Sequence, residues 1–219
     1  MKLHRFSGIN AAIQIKKMFP TAKLVLYEKG NKLGGAWHWN QYPGCACDVP
    51  SHLYSLSYEL NPDWDQHYPS AESIQKYLER VAKKHGVYDV ARLNTHVQHL
   101  EWQQDTNQWK LISKKQPSPQ EPTTEYFDFV FTCIGPLHVP KTPQWNGMET
   151  FKGDIIHTAR WSSEFNPSGK RIAVIGTGAS GVQVIPELVK VADSVTVFQR
   201  TANWIGAKVE YKYSAFAKW

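Results

Sequence analysis

A chain of 219 residues with 42% hydrophobic side chains can build one good core or two small ones. Its net charge of +6 comes from scattered Lys and Arg, paired only briefly as at Lys16-Lys17, Lys83-Lys84 and Lys114-Lys115, and no basic stripe with interleaved aromatics speaks for nucleic acid. Three cysteines argue against a disulfide framework, no apolar run approaches membrane-spanning length, and Met1–Arg5 lacks the apolar stretch of a signal peptide, so a reducing, cytoplasmic setting without membrane insertion is expected.

Residues 6–18 read as a helix, with Ile9, Ala12, Ile13 and Lys16 on neighbouring turns and Pro20 ending the run. Residues 23–27 form a short buried strand that stops at Glu28. Gly34-Gly35 open a long aromatic loop that runs to about Pro62. Residues 71–84 are amphipathic and helical, and Gly86 is placed to cap them. Residues 95–102 and 108–113 suggest a hairpin, and 115–124 a polar surface loop. Tyr126 to Phe131 is expected as a strand leading to Cys133-Ile134-Gly135. A connector with Pro136, Pro140 and Pro143 follows. Residues 171–175 are another buried strand, 176–181 a tight turn, 182–191 a helix, and 194–199 a further strand. Strand–helix–strand order occurring twice indicates an α/β protein with parallel sheets.

The chemically clearest motif is Gly176-Thr177-Gly178-Ala179-Ser180-Gly181, between a strand and a helix. Gly176 permits the turn, Gly178 lets backbone approach a pyrophosphate, and Gly181 allows close helix–strand packing. The helix start, through Val182 and Gln183, adds N–H groups and partial positive charge. The alternative is a glycine turn without a ligand. The next strand ends in Gln199-Arg200-Thr201, where an acid would suit NAD and an Arg suits the 2′-phosphate of NADP. A surface ion pair is the other reading of Arg200.

The N-terminal helix and the strand ending at Glu28 resemble the later parts of a second such unit. Glu28 stands twenty residues after Gly8, where an acid would bind an adenosine ribose. Of three motif glycines only Gly8 is present, with Arg5 and Leu3 at the other two positions, so the true N-terminus is expected to be missing through a wrong start or a real truncation. Cys45 and Cys47 are too close to form a zinc site alone, and the histidines have no metal-binding spacing. Nine Trp leave core packing and the lining of a planar ligand both open.

The run Gly34-Gly35-Ala36-Trp37-His38-Trp39-Asn40-Gln41-Tyr42-Pro43-Gly44-Cys45-Ala46-Cys47-Asp48 resembles the flavin-side fingerprint of Baeyer–Villiger monooxygenases, and Ser51 to Ser55 is also similar. Phe151 to Trp161, with His157 inside it, resembles the family's second fingerprint and departs from it at Ser162, where Pro or Asp is usual. The resemblance runs from about Phe6 to Ile205 and covers less than half of a complete member. It implies two dinucleotide-binding Rossmann-like domains, both incomplete here: an FAD-binding domain over 1–140, a connector over 141–168, and the start of an NADP-binding domain over 169–219. It implies FAD and NADPH as cofactors, and O2 and a small carbonyl compound as substrates, with an ester or lactone formed.

By the same resemblance Glu28 binds the adenosine ribose, and Gly34, Gly35, Trp37 and Trp39 wrap the pyrophosphate and ribityl chain, with Ala36, His38, Ala46, Cys47 and Val49 completing the flavin loop. Backbone at Val97 faces the adenine, and Asp48 and Tyr54 lie near the flavin ring. Thr177, Gly178, Ala179, Ser180, Gly181, Val182 and Gln183, with Arg200 and Thr201, take the NADP phosphates. Asp48 orients an active-site Arg that the family draws from far downstream of Arg200, so Asp48 here is expected to be exposed or paired otherwise. His157 couples domain motion to catalysis, or is a capping or core residue. The isolated chain is expected to show little or no turnover. An N- or S-oxygenating flavin monooxygenase and a non-catalytic nucleotide-binding fragment are the competing classes.

Overall fold

The computed structural model describes residues 6–117, 121–135, 139–204, 206 and 208–214. Leu3 and Arg5, Pro136 of the connector and Ile205 lie outside the described residues. The elements are α1 (Phe6–Met18), β1 (Leu26–Tyr27), α2 (Ala36–Trp39), α3 (Ala71–Lys84), β2 (Ala91–Arg92), β3 (Thr95–Gln103), β4 (Gln108–Lys115), β5 (Thr123–Phe127), β6 (Arg171–Ile175), α4 (Ala179–Val189) and β7 (Ser194–Phe198). The chain divides into two compact units, Met1–Ala36 with Lys76–Leu137, and Trp37–Gln75 with His138–Trp219. Among the described residues no helix is long and apolar enough to cross a membrane.

In the first unit α1 buries Ile9, Ala12 and Ile13, the i, i+3, i+4 stripe of an amphipathic helix. Lys16 reaches the far end of α3, donating from Nζ to the Gly86 carbonyl at 3.0 Å. A cation there complements the helix dipole as well as bonding a terminal carbonyl. The end of α3 is built by Gly86, whose φ of +60° reverses the chain. Gly86 N–H then bonds Lys83 O at 3.1 Å and Val87 N–H bonds Ala82 O at 2.8 Å. This double bond pattern is the Schellman motif, and Val87 is fully buried behind it.

β1 pairs in parallel with β2, and β3, β4 and β5 form an antiparallel sheet in that order. Side chains of Tyr27, Arg92 and Glu125 tie the two sheets together. Tyr27 donates its hydroxyl to Glu125 Oε2 at 2.6 Å, and Arg92 donates to the same oxygen. Arg92 also lies over the Tyr27 ring at 5.4 Å, and Phe127 meets that ring edge-on. Burial raises the Glu125 pKa, but the bonds from Tyr27 and Arg92 and the Arg92 charge outweigh it and hold the carboxyl below the usual range.

Two expected strands in this unit differ from the outcome. The strand expected over 23–27 shortens to Leu26–Tyr27, because its only ladder among the described residues is the two-residue one with β2. The strand expected over 126–131 runs instead over Thr123–Phe127. Its register, Trp109↔Phe127 to Ser113↔Thr123, uses up the edge of β4, and no described strand flanks the residues beyond. Phe129 and Phe131 are accordingly 82% and 66% exposed.

In the second unit β6 and β7 pair in parallel, with Ile172 opposite Val195 and Val174 opposite Val197. The helix after the glycine turn begins at Ala179, three residues earlier than its apolar period suggests, because the turn itself supplies the first helical residues. Val184 and Leu188 of α4 form a buried cluster with Tyr42, on which Cys45, Trp161, Ile172, Val174 and Val195 pack. Trp64 is 1% exposed, and fully buried Ser51 bonds both Gln66 O and His67 O through its hydroxyl.

A Cβ at Gly86 must adopt a left-handed backbone and would stand 2.7 Å from Asp89 Oδ2. Gly86→Ala is expected to cost about 1–2 kcal/mol, read as a lower urea midpoint, and an unchanged midpoint would refute the strained cap. Because the folded-state pKa of Glu125 is depressed, its contribution to stability is present above the ordinary carboxylate range and lost as pH falls through its lower folded value. Thermal melts across acidic pH should show a shallower loss in Glu125→Gln than in the parent chain, by a small margin because Arg92 is well exposed.

Candidate functional site

The glycine turn between β6 and α4 has the geometry its sequence asks for. Gly176 has φ +101°, and its N–H bonds Phe198 O at 2.8 Å, fixing the turn to the end of β7. At Gly181 a Cβ would stand 2.5 Å from Gly176 O, so the turn and the helix meet too closely for any side chain. At Gly178 a Cβ would meet nothing within 4 Å. The protein itself leaves the space over Gly178 open. No side chain caps the N-terminus of α4. Its first amides therefore face that space with the positive end of the helix dipole.

Thr177 is held from two sides. Its hydroxyl donates to Gln199 Oε1 at 3.2 Å and accepts from Asn203 Nδ2 at 3.2 Å, while Asn203 Nδ2 also bonds the Thr177 carbonyl. These bonds draw the segment after β7 back to the turn. Arg200 and Thr201 lie within that segment and are exposed. Asn203 had no signal in the motif; a polar residue shortly after the strand end is too common to single out.

The aromatic loop opens on Gly34 and Gly35, both buried and with φ of +133° and +60°. The short α2 follows and contains Ala36, Trp37, His38 and Trp39. Trp37 donates from Nε1 to the Tyr54 hydroxyl at 3.1 Å, and the two rings meet edge-on. Burial pushes the Tyr54 phenol up to about 12, partly offset by the Trp37 bond and reinforced by Cys47 and Asp48. Arg160 of the second fingerprint lies over the Trp39 ring at 5.3 Å.

Further along, Cys47 N–H bonds Pro69 O at 2.9 Å, and Val49 N–H bonds Cys47 Sγ at 3.4 Å. Asp48 lies between them and is exposed, one of the two arrangements expected of it. On the other side of the loop, Tyr42 and Ala46 bond the side chain of Gln183. Tyr42 belongs to the fingerprint, yet nothing in the sequence indicated its partner.

His157 caps a short turn over Thr158–Arg160, accepting from Ala159 N at 3.1 Å through Nδ1. That leaves Nε2 to carry the ring proton. Ser162, where the fingerprint departs, accepts from Glu164 N at 3.2 Å. An Asp at that position can close the same turn, so the departure keeps the local geometry.

In the first unit Glu28 is buried at the end of β1. Its Oε1 accepts from Gly30 N at 2.7 Å, and its backbone bonds Arg92 O and Thr95 N. Val97 lies on β3 opposite Ser113, at a register irregularity. Gly8 differs from Gly181: a Cβ there would make ordinary contacts, 3.6 Å to Cys133 Cβ and 3.9 Å to Leu26 Cδ1.

The family model described as flavin-binding monooxygenase-like matches residues 9–215. The chain is 41% identical over 213 residues to the FAD-binding monooxygenase ktnD of Aspergillus niger, covering 95% of this chain and 35% of that protein. It is 38% identical over 205 residues to a Baeyer–Villiger monooxygenase of Streptomyces coelicolor, covering 94% of this chain and 38% of that protein. The crystal structure of cyclohexanone monooxygenase from Rhodococcus sp. Phi1 bound to NADP+ superposes with a TM-score of 0.85 at 30% identity, covering 95% of this chain and 39% of that one. This chain therefore spans between 35% and 39% of the length of these three proteins. The resemblance to Baeyer–Villiger monooxygenases and the two-domain α/β reading agree with these matches. With the family model matching residues 9–215, the chain belongs to the flavin-binding monooxygenase-like family.

Proposed function

We propose that this chain is the part of a Baeyer–Villiger monooxygenase that handles FAD and NADPH, serving to insert one oxygen of O2 beside a ketone carbonyl to give an ester or lactone. The observation that carries the reading is the glycine turn. Its third glycine is demanded by the fold, whereas the openness over its second has no use within the chain and suits a ligand whose phosphates approach backbone. A relative named as FAD-binding and a neighbour solved with NADP+ support the same pair of cofactors.

In this reading residues 1–140 serve the flavin, 141–168 connect, and 169–219 begin the nicotinamide-binding domain. When bound, the flavin supplies oxygen activation and NADPH the hydride. Thr177, Gly178, Ala179, Ser180 and Gly181 would receive the NADP pyrophosphate, with Thr177 already oriented by Gln199 and Asn203. Arg200 and Thr201 would hold the 2′-phosphate. Gly8 and Glu28 would serve the adenosine side of FAD, with Val97 backbone at the adenine. Gly34 to Trp39 would wrap its phosphates and ribityl chain, and Ala46, Cys47, Asp48, Val49 and Tyr54 would lie by the ring. Tyr54, its proton held by burial, stays a neutral donor across physiological pH. Asp48, exposed at the edge of the loop, would orient a cationic group. His157 would transmit motion through the fingerprint turn that it caps. The three free thiols fit a cytoplasmic setting.

The reaction class is tested by product analysis with a ketone and a thioether in the presence of FAD and NADPH. An ester or lactone from the ketone supports the proposal, and sulfoxide alone would move the chain to the N- or S-oxygenating branch. The cofactor assignment is tested on the purified chain by titrating NADP+ and NAD+ against tryptophan emission. NADP+ is expected to bind more tightly, and Arg200→Ala to weaken NADP+ by about 10- to 100-fold with little change in NAD+, the scale of a lost charged hydrogen bond. Equal affinities in the parent chain would refute the 2′-phosphate role.

A further inference from the structure

Gln183 lies at the end of the first turn of α4, within the run expected to take the nucleotide. Its side chain is turned to the aromatic loop instead. Oε1 accepts from the Tyr42 hydroxyl at 2.8 Å and from Ala46 N at 3.4 Å, and Nε2 donates to Ala46 O at 2.9 Å. Three of the four bonds that the amide can make are thus spent on two loop residues.

The contact extends along the helix. Gly44 has φ +78°, and a Cβ there would stand 2.6 Å from Gln183 O and 3.0 Å from Glu187 Cγ. Loop backbone therefore lies directly against helix backbone. The Tyr42 ring is buried with Val184 and Leu188, and burial pushes its phenol up, so it stays protonated and able to donate. On the loop's opposite side, Cys47 N–H bonds Pro69 O and Ala71 N–H bonds Cys45 O, both at 2.9 Å. Residues 45–47 are thus held from both sides, and Asp48 follows immediately.

We propose that Gln183 is a positioning residue that ties the loop carrying Asp48 to the helix of the glycine turn, so that a nucleotide phosphate held at the turn steadies the loop. The nucleotide half rests on the reading given under Proposed function; the tie itself does not. Gln183 acts through Ala46 and Tyr42, to which its side chain is bonded. An anion at the N-terminus of α4 fixes the first turn of that helix. Gln183 passes that constraint to residues 44–49, which would link occupancy of the nicotinamide nucleotide to the placing of Asp48.

The test is residue-resolved amide hydrogen exchange on the full chain, with Gln183→Met, which keeps length and removes the amide, and Tyr42→Phe, which removes a single hydroxyl. Without nucleotide, the Ala46 amide is expected to exchange about tenfold faster in Gln183→Met and less so in Tyr42→Phe, with the amides of Val184, Ile185, Glu187 and Leu188 unchanged as the control for folding. On adding NADP+, protection at residues 45–49 should rise with saturation in the parent chain. In Gln183→Met it should stay flat, although NADP+ still binds within about threefold. Parent-like exchange at Ala46 in both variants would overturn the tie. A loss of NADP+ affinity beyond tenfold in Gln183→Met would make Gln183 a ligand contact and overturn the positioning role. Equal protection by NADP+ in variant and parent would overturn the coupling. Absence of NADP+ binding to the parent chain would overturn the cofactor reading and the coupling together, while the nucleotide-free exchange still decides the tie.

Discussion

Two close backbone approaches, both onto α4 and both possible only because a side chain is missing, organise the second unit. Gly181 lets the first turn of α4 meet the carbonyl of Gly176, which sets the turn. Gly44 lets the aromatic loop meet the carbonyl of Gln183, which sets the loop. A Cβ at either place would come within 2.6 Å of a backbone oxygen, a contact that no rotamer change relieves. Gly181 stands within the helix and Gly44 lies against it, and Tyr42, Val184 and Leu188 form the buried cluster beside that approach. Hydrogen bonds from Gln183 then fix the register of loop on helix, a direction that apolar packing alone does not specify.

The parts of this arrangement that could be read in advance are those with a local cause. α1 and α3 begin and end where their apolar stripes and Gly86 place them, because period and cap lie within a few residues of each other. β6 follows its run of branched side chains for the same reason. The glycine turn is legible because spacing alone defines it. Residues 126–131 misled the reading because a strand is a property of its neighbour as much as of itself, and the ladder on β4 ends at Phe127. The ties of Tyr42 to Gln183 and of Asn203 to Thr177 had no sequence signal. They join residues 141 and 26 positions apart, and the polar residues involved are ones that solvent could satisfy equally well.

The two nucleotide motifs also differ physically. Gly181 is required by its surroundings, so its presence alone says nothing about a ligand; Gly178 is not so required, and a Cβ there, as at Gly176, would meet nothing within 4 Å. Gly8 in the first unit has room for a methyl group at ordinary contact distance. Its value as evidence for a nucleotide therefore comes from Glu28 and from family membership, not from packing. Glu28 is firmer, since an acid buried at a strand end and bonded to Gly30 N–H has its orientation fixed by the turn that follows.

The aromatic surplus resolves into separate uses. Trp64 is plain core, and Trp161 packs on the cluster around Tyr42. Trp102 and Trp109 face each other across the β3–β4 ladder, where large rings stabilise a cross-strand pair. Trp37 and Trp39 differ in that each meets a polar group: Trp37 donates to Tyr54, and Trp39 lies beneath Arg160. One partner lies just beyond Asp48 and the other in the second fingerprint. The loop is thus held by its rings as well as by Gln183. Such rings provide rigid apolar wall at little entropic cost while their polar contacts fix orientation. Packing and ligand lining are therefore not rival explanations for these two residues. The contacts that hold the rings still are what would make them a usable wall for a planar cofactor.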